Sequence, residues 1–182
     1  WLAAAAHAAL AAQSRAAEAR RRTRHAAALA EFARASVTDA NVAEAVHVLA
    51  RVAVQALGVR HAAIYRMKDD TTLRIEVTHG PAPARDTQAR ALQMPAAEAV
   101  RAQRPLAGRG SEELPGADWS GTGEITVWAL QPLMAYGRVL GVLAVWDGAE
   151  RHPAQPEWER GDLEALAALA DQGALLFEHA RR

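Results

Sequence analysis

The clearest pattern in the chain lies at Ile125–Gly148, ITVWALQPLMAYGRVLGVLAVWDG. Ile125 to Leu133 is rich in β-branched, aromatic and aliphatic residues, which predicts a strand. Pro132 has no N–H to give to a ladder, so it belongs at a strand end or bulge. Tyr136-Gly137-Arg138 reads as the turn. Val139 to Trp146 is almost continuously apolar, as in a strand covered on both faces. Two strands alone are marginal in water, so the rest of the chain must supply more strands and covering helices.

Upstream, residues 2 to about 35 predict one long helix, since Ala dominates and no Gly or Pro occurs before Gly58. Its apolar seam is thin: Leu2, Leu10, then Leu29 and Phe32. The basic run from Arg15 to His25 between them reads as solvated helix surface in preference to an anion patch. Ser36 to Asn41 breaks this helix, and Asn41 with Glu44 has capping-box spacing. Val42, Ala45, Val46, Leu49, Val52, Ala53, Ala56 and Leu57 then mark a second helix with one apolar face, closed at Gly58. His47 falls outside that stripe. His61 to Met67 and Leu73 to Thr78 predict a hairpin. By simple alternation Leu73, Ile75 and Val77 share one face of it.

Residues 81 to 90 read as a polar loop, Arg90 to Met94 as a short strand, and Pro95 to about Gln103 as a short helix stopped by Pro105. Ala107 to Gly123 is a glycine-rich loop containing Trp119. A loop of this length in a compact domain is commonly a lid or binding loop. It lacks the Gly-Lys-Ser/Thr of a phosphate loop. After a proline-containing linker at 149–156, a helix from about Glu159 to Ala180 carries Leu163, Leu166, Leu169, Ala170, Gly173, Leu176 and Phe177 on one stripe. Trp158 is placed to staple its start.

Composition narrows the chemistry. The 182 residues allow one good core plus an extension. The formal net charge is zero, so no global field draws the chain to nucleic acid or an anionic membrane. Cys is absent, which removes disulfides, thiolate metal sites, cysteine catalysis and covalent attachment of a bilin. No run of about eighteen apolar residues is present to span a membrane. Trp rather than Met at position 1 predicts a piece of a longer protein, which leaves room for a membrane anchor upstream. The expected location of this piece is the cytoplasm. No metal-ligand spacing such as HExxH occurs, and no Ser–His–Asp or paired-carboxylate constellation stands out.

An ordered set of short motifs then carries a resemblance. Leu57-Gly58-Val59 precedes a hairpin ending in His79-Gly80. Val100 to Leu106, Ala129-Leu130-Gln131-Pro132-Leu133, Val139-Leu140-Gly141-Val142-Leu143, and Asp162-Leu163 with Leu166-Ala167 follow. Over residues 38 to 180 this resembles a GAF domain. Two positions depart from the pattern: Met94-Pro95-Ala96 stands where the family often has a glycine pair, and Glu159 where it tends to have a Ser or Thr helix cap.

The resemblance implies an α+β fold of the GAF/PAS-like kind, a central antiparallel sheet with the N- and C-terminal helices on one face. A ligand cavity would lie on the other face, roofed by the middle helix and the long loop. It divides the chain into a linking helix, 1–37, and a sensory domain, 38–182. Such domains serve in bacterial signalling proteins, among them two-component histidine kinases, as sensors and dimerising modules. The expected partners are a second copy bound through the terminal helices, an unidentified small molecule, and an output domain in the same chain; no nucleic-acid contact is expected. Pocket candidates are Ile64, Arg66, Thr78, His79, Trp119 and Trp128, with Arg66 for an anion and the tryptophans for a planar group. The residues name no cofactor. Haem held by a single histidine, His79 or His152, is one alternative. A ligand-free dimerising spacer is another, favoured if the roof collapses onto the sheet. One branch of the family reduces methionine sulfoxide, but through cysteines, which this chain lacks.

Overall fold

A computed structural model describes residues 2–37, 42–69, 71–116, 124–148 and 158–180. The predicted Asn41 cap, Trp119 and His152 lie outside the described residues. The elements in chain order are α1 (Leu2–Val37), α2 (Val42–Leu57), β1 (His61–Met67), β2 (Leu73–His79), α3 (Ala84–Ala91), α4 (Gln93–Ala102), β3 (Leu106–Arg109), β4 (Ile125–Ala135), β5 (Arg138–Gly148) and α5 (Arg160–His179). The strands form one sheet in the order β2-β1-β5-β4-β3, with every neighbouring pair antiparallel.

The β4–β5 hairpin is the spine. Its turn residues Tyr136 and Gly137 both have positive φ, 51° and 75°. That matches the two-residue turns whose twist suits a hairpin. Pro132 falls inside β4 and not at its end, but it sits beside an irregularity in the β4–β5 register between Leu133 and Met134, close to the bulge position expected of it. Gly141 permits β5 to run close to β1: a Cβ there would meet the Tyr65 carbonyl oxygen.

One face of the sheet packs against α2 and α5, and α1 lies across those two helices. Leu49, Val52, Ala53, Ile64, Leu133, Leu143, Leu169 and Phe177 are buried in that core, and Ala28 and Phe32 of α1 join it. Gly173 lets α5 approach Leu49 of α2, since a side chain there would collide with it. α3 and α4 roof the other face over Ala63, Tyr65, Leu130, Val142, Ala144 and Trp146.

The alternation expected along β2 does not hold. Leu73 and Ile75 face the roof, whereas Val77 faces the helices. The register explains this: Ile64 pairs with Val77 but Tyr65 pairs with Ile75, leaving Glu76 as the extra residue of a β-bulge. Residues 84–91, expected as loop and strand, form α3. The fifth strand is β3, at the start of the segment expected to be loop. It is an edge strand whose Gly108 lies against the Trp128 ring of β4.

Candidate functional site

The resemblance reserves the space between sheet and roof for a ligand. In this chain two aromatic side chains fill it. Tyr65 and Trp146 alternate inward from β1 and β5, and each is completely buried. Their polar tips then need partners. The Tyr65 hydroxyl donates to the Ala89 carbonyl at 2.5 Å, and Trp146 Nε1 donates to Gln88 Oε1 at 2.7 Å. Both acceptors belong to α3. Burial pushes the Tyr65 hydroxyl pKa well above its usual value, so it stays a donor. Small residues complete the closure: Ala89, Ala96 and Ala99 are buried against the sheet with Leu92. His61 stacks on Trp146, with centroids 5.5 Å apart and planes 10° apart.

The predicted pocket residues do not converge. Ile64 is in the helix-side core, with no exposed surface. Arg66 lies on that same side, its guanidinium 5.2 Å from the centre of the Phe177 ring of α5. Thr78 donates to Asp86 Oδ1 at 3.1 Å, on the first turn of α3. Asp86 also takes two bonds from Arg85, which with Thr78 hold its pKa down to about 2. His79, half-buried, has its pKa lowered by burial first and then by Arg51, Arg85 and His47. Trp128 is 3% exposed and donates to the Gly110 carbonyl at 3.0 Å. It covers β3 and offers no open face. At about 4.8 Å per strand, Trp128 on β4 stands roughly 14 Å across the sheet from β2. Arg66 is four residues along β1 from Ala62, the partner of His79, about 13 Å away.

A second polar assembly joins α1 to the start of α5. Asp162 Oδ1 accepts from His25 Nε2 at 3.1 Å, and its Oδ2 accepts the Glu159 N–H at 3.2 Å. The Asp162 side chain is 1% exposed and His25 11%. One helical turn earlier, Arg21 pairs with both Glu18 and Glu159. The basic run is therefore divided. Arg22, 78% exposed, meets solvent, while Arg21 and His25 point at α5. The sequence signal was the spacing 18, 21, 25, 28, 32, a 3-4 stripe that is polar at one end and apolar at the other. Glu159, the departure from the family pattern, is the Arg21 partner here.

A single antiparallel sheet, with terminal helices on one face and a two-helix roof on the other, defines a small α+β domain. The GAF-domain family profile matches residues 41–176, and the chain belongs to that family. Solved structures show the same fold at low sequence identity. The GAF domain of an Acinetobacter phosphoenolpyruvate-protein phosphotransferase superposes with a TM-score of 0.67 at 13% identity, covering 86% of this chain and 94% of that one. The GAF domain of a protein described as a sensor histidine kinase, from Pseudomonas syringae pv. tomato, gives 0.63 at 17% identity, over 90% and 93%. Free methionine-R-sulfoxide reductase from Neisseria meningitidis, solved with its substrate, gives 0.67 at 16% identity, over 86% and 90%. No protein of curated function matches the chain in sequence. Among the described residues no helix is long and apolar enough to cross a membrane. The roof interior is filled by Tyr65 and Trp146, which does not fit a haem held beneath it by His79.

Proposed function

We propose that this GAF domain is a non-catalytic relay in a larger cytoplasmic signalling protein of the histidine-kinase type. Its state is set by how α1 and α5 pack, and it works as a homodimer through those helices. The observation that carries this reading is the polar joint between them. Asp162 is buried, held by the Glu159 N–H at the start of α5 and bonded to His25 of α1, so α1 cannot shift against α5 without breaking the His25 bond and the Arg21–Glu159 pair. Exposed apolar side chains on the same two helices, Leu10 at 65% and Leu175 at 48%, suit a partner copy. The closed roof supports a relay that holds no compound beneath it, in preference to a sensor with a ligand there. The missing cysteines set the chain apart from the sulfoxide-reducing branch of its family.

Light scattering on purified 1–182 and 38–182 tests the dimer. The longer chain is expected to be a dimer and the shorter a monomer or a weaker dimer. A longer chain that stays monomeric at about 100 μM, well above a micromolar dissociation constant, would sink the reading.

A further inference from the structure

We infer that the N-terminal half of α1 packs antiparallel along the outer face of α5 in a second copy of the chain. This rests on the homodimer reading above and gives the dimer a register.

α1 has one packing stripe, and the chain itself covers only part of it. From residue 21 to residue 32 the stripe is Arg21, His25, Ala28 and Phe32, and it meets α5 and α2. Carried toward the N-terminus, the same 3-4 spacing passes through Ala17, Ser14, Leu10 and His7. These four are exposed, Leu10 to 65%. The contacts Arg21–Glu159 and His25–Asp162 step forward together, so α1 and α5 run in the same direction. Glu159 caps the first residue of α5, so α1 before Arg21 extends past the start of that helix by about 29 Å.

α5 carries a matching stripe on the side away from the core. Glu164, Asp171 and Leu175 are exposed there, and Ala168 and Glu178 are half-buried. Read backwards, 178, 175, 171 and 168 make the same steps as 7, 10, 14 and 17. An antiparallel pair that seats Leu10 on Leu175 therefore also seats His7 on Glu178, Ser14 on Asp171 and Ala17 on Ala168. A groove of about 650 Å³ between α1 and α5, lined by Leu29, Glu164 and Ala168 among others, continues this seam. Two-fold symmetry repeats the contact, so each copy gives an arm and receives one.

Charge selects this pairing over the parallel one. A parallel pair of α5 helices sets Asp171 against its own copy. Asp171 has only Ala167, Ala168, Ala174 and Leu175 one turn to either side, so its own helix offers it no cation. Glu164, by contrast, already has Arg160 at 2.8 Å. α1 has no carboxylate before Glu18. Its Ser14 hydroxyl and the adjoining Arg15 bring donors to Asp171. Arg15 Nε donates to the Ala11 carbonyl at 3.2 Å, which lays the guanidinium along the helix beside Ser14.

A chain without Cys makes the test direct, since single-cysteine variants of the full 182 residues label at one place. Leu10 lies about 22 Å before His25, and Leu175 about 20 Å beyond Asp162. A nitroxide at L10C is therefore expected to sit about 40 Å from its copy in the dimer, against about 10–20 Å for parallel α1 helices. Oxidising a mixture of L10C and L175C should give a covalent dimer, and either alone should not. D171R should weaken the dimer about tenfold, and R15D in the same chain should restore it. A short L10C distance, no L10C–L175C crosslink, or an unchanged dimer in D171R overturns the antiparallel seam and leaves the homodimer reading standing. A parent chain that scatters as a monomer at about 100 μM overturns both.

Discussion

Trp146 Nε1 lies 2.7 Å from Gln88 Oε1, and this bond, with those from Tyr65 to Ala89 and Thr78 to Asp86, ties the sheet to a roof helix that buries little. α3 buries only Gln88 and Ala89. Removing the acceptor in Gln88→Ala strands a buried indole N–H and is expected to cost about 1–3 kcal/mol. Urea denaturation checks it. An unchanged midpoint would mean that the bond adds nothing beyond packing.

The ring of Trp146 fills the space where the family resemblance places a ligand. Trp146→Ala should cost about 3–5 kcal/mol and leave an apolar cavity. Free indole should then raise the melting temperature of the variant and not that of the parent. If indole shifts neither, the ring is not what fills the interior.

Gly141 is the one position of the Val139–Leu143 motif where a side chain cannot fit, because a Cβ would strike the Tyr65 carbonyl. Gly141→Ala must push β5 from β1 and is expected to cost about 1–3 kcal/mol. At roughly 2–4 °C per kcal/mol for a chain this size, thermal melting resolves it. A variant as stable as the parent would show that the strands separate freely there.

His79 gives a pH dependence of definite sign. Burial and the cations Arg51 and Arg85 hold its folded pKa below the ordinary value near 6.5. Below that value the unfolded chain takes up more protons, so stability present at neutral pH is lost as pH falls. The melting temperature should drop between pH 7.5 and pH 5, and less steeply in His79→Gln. Equal slopes would assign the effect to other groups.

The joint between α1 and α5 predicts a local response. Asp162→Ala strands His25 and the Glu159 N–H and should cost about 1–3 kcal/mol. Amide exchange should quicken over residues 18–35 while β5 keeps its protection. Faster exchange spread evenly over the chain would show that Asp162 supports the whole fold and no particular joint.

Four of the five strands and the helices α2 and α5 were legible because each buries a continuous apolar set, and such sets leave a period in the sequence; α1 was legible from its alanine content and lack of Gly and Pro. α3 was not. Its sequence, ARDTQARA, has no apolar stripe, since it is held by bonds from Tyr65 and Trp146 instead of by burial. β3, LAGR, lacks β-branched residues and exists because Gly108 accommodates Trp128. The bulge at Glu76 was hidden because Leu73, Ile75 and Val77 satisfy alternation whether or not the register slips. For the site, Arg66 was expected to meet an anion in the pocket under the roof; it lies instead on the helix side, 3.7 Å from Glu76. Its direction, toward Phe177 and away from the roof, depends on contacts distant in sequence.

The length of α1 has a mechanical result. Its 36 residues span about 54 Å, yet its buried anchors, Ala28 and Phe32, lie in the last third, and residues 3–10 are exposed throughout. From His25 back to residue 3 the helix runs about 33 Å. A tilt of only about 10° at the anchored base would swing the far tip by roughly 6 Å, enough to turn a rearrangement of a few hydrogen bonds into a displacement several times larger at the tip.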